Sequence, residues 1–305
     1  MATEVKPDFI FVGATRSAGM YITKVLASHP EIFVGKGASR AVKNNLHFFN
    51  ENLEDKYFRQ FSNHGDKIVG EGKRGYYLYM ELPSGESAAE KIYQVNPETK
   101  IIISLRNPIE RAFSHYSKLS KQGVWKSPRG LINDYDLIMN MEPTRGYHSM
   151  SRIITDSLYY KGIKEYMDLF SNSQVKIIFH YNSEWFDNWD NASPQGVFED
   201  LYSFLGVDQD FVSPILKSRI NTSSMTTGLK NKEGVSTLFS RLALKLGFYR
   251  TSNFFNSYIS ESPKIDKDTY SFLLDLFMDD ILNLESFLDV DLASWKAPYN
   301  LSTKS

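Results

Sequence analysis

The chain has 305 residues, 42% of them hydrophobic and 14% aromatic, enough apolar mass for one large core or two small ones. Its formal charge is −1 and it contains no cysteine. The near-neutral balance gives no broad footprint for nucleic acid or an anionic membrane, and the lack of thiols excludes disulfides, thiolate metal sites and a cysteine nucleophile.

The first eight residues, MATEVKPD, lack the basic start and apolar core of a secretory leader. The longest apolar runs fall far short of the roughly 20 residues that span a bilayer. A cytoplasmic protein with no transmembrane segment and no nucleic-acid partner is therefore expected. Sequons at Asn191, Asn221 and Asn300 carry no weight without secretion.

The first predicted element is a buried strand over Phe9–Val12. It breaks at Gly13, and apolar residues resume at helical spacing with Ile22, Val25 and Leu26 until Pro30 ends the helix. A strand, a tight turn and a helix N-terminus present unpaired N–H groups and a positive dipole end, which suits a phosphate. The turn reads GATRSAG (Gly13–Gly19) and is not the triphosphate loop GxxxxGK with a following Ser or Thr.

Further along come a short strand near Lys67–Gly70, strands at Lys100–Leu105 and Val175–Phe179, and helices at Ile109–Lys121, Leu158–Phe170 and Val197–Leu205. Gly206 is a natural C-cap for the last of these. Strands alternating with helices point to an α/β fold with a parallel sheet. Residues 181–195 read as an exposed insertion, with the lining of an acceptor mouth as the alternative, the polar stretch 221–234 as a surface connection or a loop that closes over a ligand, and Leu238–Phe248 as a short basic amphipathic helix. A terminal helix follows within residues 266–295, with Trp295 docking behind it. No repeat or low-complexity linker interrupts the chain, so a single domain over residues 1–305 is expected, with a core over about 7–208 and a helical C-terminal part over about 209–298.

Arg106 follows a strand end, where parallel sheets bind ligands. Ser114, eight residues on, shares a helix face with Glu110 and Arg111. Spacing allows Arg106 and Ser114 to meet one anion. It equally allows Arg111 to pair with an acidic neighbour and Ser114 to be a plain helix residue.

Three pieces of the chain, GATRSAG, LHFFN (Leu46–Asn50) and LRNPIERAFSHY (Leu105–Tyr116), together resemble the sulfotransferases that use 3′-phosphoadenosine 5′-phosphosulfate, PAPS. Weaker similarity continues through SLYYKGIKEYMDLF, VKIIF and FEDLYSFLGVD, so the likeness covers roughly residues 7–208. The resemblance implies a P-loop-like parallel sheet flanked by helices, PAPS as sulfuryl donor and no metal. Carried over by position, Ala14, Thr15, Arg16, Ser17, Ala18 and Gly19 are expected around the 5′-phosphosulfate end, and Arg106 and Ser114 at the 3′-phosphate. Two anionic ends on one adenosine each need a cradle.

The chain also departs from the family pattern. Ala18-Gly19 stands where the family usually has Gly-Thr, leaving Ser17 as the nearby hydroxyl. Asn45 stands where the glycan sulfotransferases have a basic Glu, which makes His47 the nearest titratable group. In GEGKRGYYLY (Gly70–Tyr79), Gly72 takes the place of the family Lys and Lys73 follows one residue later. The catalytic candidates are therefore His47, Lys73 and Glu71, the last also able to pair with Lys73 or Arg74 as an ordinary charged turn. His29, His64, His115 and His148 are expected to be structural, and Tyr159 and Tyr160 to pack.

The function expected is transfer of a sulfuryl group from PAPS to a hydroxyl, with an amine as second choice, of a small molecule, lipid or carbohydrate. A non-catalytic protein of the same fold that binds nucleotide or a partner is the alternative; a nucleotide kinase lacks its GK[ST] signature. Neither the acceptor nor the oligomeric state follows from the sequence.

Overall fold

The apolar run after Pro7 forms strand β1 (Phe9–Gly13), whose five residues are all buried in the computed structural model. The structure describes residues 5–35, 57–72, 77–79, 81, 85–121, 130–140, 151–180, 195–216 and 265–297. Among these, β1 is joined by β2 (Ile32–Val34), β3 (Ile68–Glu71), β4 (Lys100–Arg106) and β5 (Val175–His180). Every pairing is parallel, in the order β2-β3-β1-β4-β5. A parallel sheet covered on both faces has no solvent side, which is why FIFV and IIISL run apolar without alternation. The expected α/β class with a parallel sheet flanked by helices is observed.

Strand order sets the position of the site. From β1 the chain crosses to β2 on one side, whereas from β4 it continues to β5 on the other. The segments leaving β1 and β4 diverge, and their C-terminal ends border the crevice where sheets of this kind take ligands.

The chain divides into two compact units: Met1–Pro108 with Leu158–Ser218 and Asp280–Trp295, and Ile109–Ser157 with Arg219–Asp279 and Lys296–Ser305. The first unit holds the sheet, α1 (Gly19–Ala27) and α2 (Ala88–Val95). Neither β2 nor α2 is among the predicted elements. β2 is only three residues long, but α2 carries a capping box, Ser87 accepting from the Glu90 backbone N–H while Glu90 accepts from that of Ser87, a signal legible in S-x-x-E.

Helix α3 (Pro108–Lys121) follows β4 directly, and the second unit adds the short helices α4 (Gly130–Asn133), α5 (Tyr135–Asn140) and α6 (Arg152–Thr155). Its buried side chains include Ile109, Ala112, Leu119, Ile153 and Ile154. In the first unit, α7 (Tyr160–Leu169) and α8 (Gln195–Leu205) flank β5 in sequence, and Gly206 closes α8 at φ 82° with its N–H on the Tyr202 carbonyl, as expected of a C-cap.

The terminal helix α9 (Lys267–Leu288) has residues in both units and is followed by α10 (Ala293–Lys296). Trp295 is fully buried, its ring 6.0 Å from those of Tyr159 and Phe179. The docking role expected of it is met. The stretches 221–234 and 238–248 and most of 181–195 lie outside the described residues.

Candidate active site

The loop after β1 is tied to β4 at two points. The register of the β1–β4 pair slips between Phe11 and Gly13. Beyond it the Ala14 N–H donates to the Ser104 carbonyl at 2.8 Å, and the Ser104 hydroxyl donates to the Ser17 carbonyl, also at 2.8 Å. Ser104 is the polar residue inside an otherwise apolar buried strand, a signal that marks it as a loop anchor.

Arg16 and Ala18 adopt left-handed conformations, with φ 67° and 56°. Left-handed residues in a turn bring successive backbone N–H groups to one side, the geometry of an anion-binding nest. Ala18 is the N-cap of α1, which has neither a side-chain cap nor an acidic residue in its first turn. Gly19 opens that helix because a Cβ there would lie 2.6 Å from the Phe11 ring.

Within this loop Ala14, Thr15 and Ser17 are buried. The Ser17 hydroxyl has no hydrogen-bond partner at all. An unsatisfied buried hydroxyl costs about 1–3 kcal/mol, and a phosphate oxygen at the helix N-terminus would satisfy it. The residues present therefore fit the phosphate end of a nucleotide donor.

Arg106 closes β4 on the same edge of the sheet and is half-buried; its backbone carbonyl accepts from the Tyr159 hydroxyl at 2.8 Å. Tyr159 is fully buried, so it packs as expected, yet it also fixes a strand end. Ser114 is half-buried on α3 and belongs to the second unit, whereas Arg106 belongs to the first.

Arg111 is structural, one of the two roles the sequence allowed. Fully buried, its guanidinium donates to the Ser157 hydroxyl at 2.6 Å and to the carbonyls of Arg152 and Ile153, and it lies 3.9 Å from Asp156. His115 is buried with Nδ1 3.5 Å from the same guanidinium. These contacts bind α3 to the turn at 151–157.

On the other side of β1, Glu71 ends β3 and receives a 2.5 Å hydrogen bond from the Tyr57 hydroxyl. Gly72 packs against α1 so closely that a Cβ would meet Thr23 Oγ1 at 2.8 Å and Cγ2 at 3.0 Å. His47, Asn45 and Lys73 lie outside the described residues, as does His148. His29 is structural, its Nε2 donating to the Asp208 carbonyl at 2.9 Å while Nδ1 accepts from the Glu31 N–H. His64 Nδ1 lies 3.1 Å from the Lys67 carbonyl.

No family model matches the chain. Individual proteins do. It is 22% identical over 179 residues to the bifunctional heparan sulfate N-deacetylase/N-sulfotransferase 1 of Caenorhabditis briggsae, covering 56% of this chain and 20% of that protein. To the heparan sulfate glucosamine 3-O-sulfotransferase 6 of Homo sapiens it is 28% identical over 130 residues, 41% of this chain and 34% of that protein. The crystal structure of a sulfotransferase from Alicyclobacillus acidocaldarius superposes with a TM-score of 0.65 at 24% identity, covering 96% of this chain and 100% of the other. The chain is similar to known sulfotransferases. It spans between a fifth and about a third of the length of these two curated relatives.

The likeness to the solved sulfotransferase shows the fold. Among the described residues no group of three or more His, Asp or Glu comes together to hold a metal, and no helix is long and apolar enough to cross a membrane. Sequence reasoning missed Ser104, Tyr57 and Asp280, whose roles depend on partners 87, 14 and 121 residues away.

Proposed function

We propose that this chain is an enzyme, a PAPS-dependent sulfotransferase acting on a hydroxyl, with an amine as the second choice, of a small molecule, lipid or carbohydrate. The observation that carries the proposal is the buried, partnerless Ser17 hydroxyl in the loop that leads into α1, whose N-cap Ala18 makes no side-chain cap bond. Ala14 to Gly19 surround the 5′ end of the donor, with Arg16 supplying positive charge to the leaving phosphate. Arg106 holds the 3′-phosphate, an assignment supported by its place in LRNPxERAxSHY and at the C-terminal end of β4, and the same motif makes Ser114 the second candidate for that role.

PAPS supplies the sulfuryl group and departs as adenosine 3′,5′-bisphosphate. As a bond from the acceptor oxygen to sulfur forms and the bond from sulfur to the 5′-phosphate oxygen breaks, the acceptor's proton passes to a base of the protein. His47 and Glu71 are the candidates. Tyr57 orients the Glu71 carboxylate, and Lys73 stands one residue beyond the close-packed Gly72 to stabilise the leaving oxygen. A loose, in-line displacement asks chiefly for such positioning and charge.

The deciding experiment incubates the protein with PAPS and a broad panel of hydroxyl and amine acceptors and uses mass spectrometry to seek an added SO₃. A sulfated product establishes the enzyme. Tight binding of adenosine 3′,5′-bisphosphate with no acceptor sulfated and no donor hydrolysed would leave a non-catalytic nucleotide-binding relative.

A further inference from the structure

We propose that Tyr159 is a positioning residue for Arg106, and that Asp280 on the terminal helix holds Tyr159 in turn. The inference rests on the donor-site role given to Arg106 above. Tyr159 immediately precedes α7 and is its N-cap, but no side chain from that segment caps the helix. The cap comes from 121 residues away: Asp280 Oδ2 accepts from the Tyr159 N–H at 2.6 Å, and both carboxylate oxygens accept from the Tyr160 N–H, at 3.2 and 3.3 Å. One carboxylate thus satisfies two of the N–H groups that a helix start leaves open.

The same tyrosine reaches the strand end with its other terminus. Its hydroxyl donates to the Arg106 carbonyl at 2.8 Å, while its ring, fully shielded from solvent, lies 6.0 Å from that of Trp295. Arg106 is the last residue of β4, paired with His180 of β5. Beyond it the sheet no longer restrains the chain, so a bond to this carbonyl fixes the peptide plane from which the Arg106 side chain departs. All three residues belong to one compact unit. The last long helix, a buried phenol and the arginine expected at the 3′-phosphate are thereby linked through two sets of hydrogen bonds.

Tyr159→Phe deletes the hydroxyl and keeps the ring. Calorimetric titration should show adenosine 3′,5′-bisphosphate weakened by about tenfold, the scale of one buried hydrogen bond, with AMP, which lacks the 3′-phosphate, unchanged. Asp280→Asn should lower the same preference. Trp295→Phe, which loosens the packing without touching either bond, should lower Tm and leave the preference intact. Arg106-Asn107 is the only Arg-Asn pair in the sequence, so ¹³C-carbonyl Arg with ¹⁵N Asn gives a single NMR signal for the Arg106 carbonyl. That signal should move in Tyr159→Phe without any nucleotide present. Full preference for the bisphosphate in Tyr159→Phe, or equal weakening of both nucleotides, overturns the positioning role. Failure of the donor-site reading is seen separately, in a wild-type protein that does not distinguish the two nucleotides or an Arg106→Ala variant that still does.

Discussion

The Ser104 side chain, fully buried in β4, donates a 2.8 Å hydrogen bond to the backbone carbonyl of Ser17 in the loop after β1. The central strand pair therefore holds the loop's backbone, while the Ser17 hydroxyl has no partner of its own. Ser17→Ala should leave the nucleotide-free protein as stable as wild type or up to about 1–3 kcal/mol more stable, because an unsatisfied buried hydroxyl is removed. The same variant should bind adenosine 3′,5′-bisphosphate more weakly. Thermal unfolding with and without nucleotide measures both, and a variant that loses stability while keeping affinity would place the anion elsewhere.

Ser104→Ala makes the complementary case. It removes the anchor and leaves the Ser17 carbonyl short of a partner in a buried loop, at a cost of about 1–3 kcal/mol. Urea denaturation should show that loss, and nucleotide affinity should fall with it because the loop's N–H groups lose their fixed direction. Unchanged affinity would mean that the loop holds its shape without β4.

Close packing of Gly72 on α1 predicts a coupled pair. Gly72→Ala forces a methyl to within 3.0 Å of Thr23 and should cost about 1–3 kcal/mol, the range for overpacking a filled site. Thr23→Ala opens the space but removes the hydroxyl that donates to the Gly19 carbonyl at 2.7 Å. The double variant should be more stable than the sum of the two single losses predicts, which a double-mutant cycle reads directly. Simple additivity would show that the two positions do not share a contact.

Burial raises the Asp280 carboxyl to about 6, against the opposing pull of the N–H bonds from Tyr159 and Tyr160. In the unfolded chain the group titrates near the ordinary carboxylate value of about 3.9. Between these values the folded state binds the proton and the unfolded state does not, so stability declines as pH rises through that window and levels off above it. Asp280→Asn does not titrate. The stability difference between wild type and variant should change by on the order of 3 kcal/mol from about pH 4 to pH 7, to the relative disadvantage of wild type. Denaturant unfolding across that range, with a difference independent of pH, would contradict the assignment.

The base is decided by turnover. His47→Ala should lower kcat by roughly 10²–10⁴ with donor affinity unchanged if the imidazole takes the acceptor's proton. Near-normal turnover in that variant, together with a comparable loss in Glu71→Gln, would assign the proton to the carboxylate that Tyr57 orients. Tyr57→Phe should then reduce kcat as well, through the lost 2.5 Å hydrogen bond.

Local pattern alone identified what local chemistry controls. The apolar runs of β1, β4 and β5, the helical spacing of α1, α3, α7 and α8, and the C-cap at Gly206 are properties of neighbouring residues and were legible without coordinates. So was the strand–turn–helix order around Gly13–Gly19, which brings backbone N–H groups together wherever it occurs. Strand order was not legible, because parallel strands pair through crossovers whose direction leaves no mark on the strands themselves. The fate of the charged and polar side chains was not legible either. Arg106 and Arg111 stand five residues apart in one motif, yet the first is half-buried at the end of β4 and the second is fully enclosed by Ser157, Asp156 and two carbonyls. Ser17 is singled out by its motif, but Ser104 reads as one serine in an apolar strand until its hydroxyl is found anchoring the Ser17 carbonyl. Asp280 reads as one more acid on a polar helix face until folding brings it to the start of α7. A buried polar group is worth keeping only with its partner in place, and those partners, 87 and 121 residues distant, are brought together by the tertiary fold.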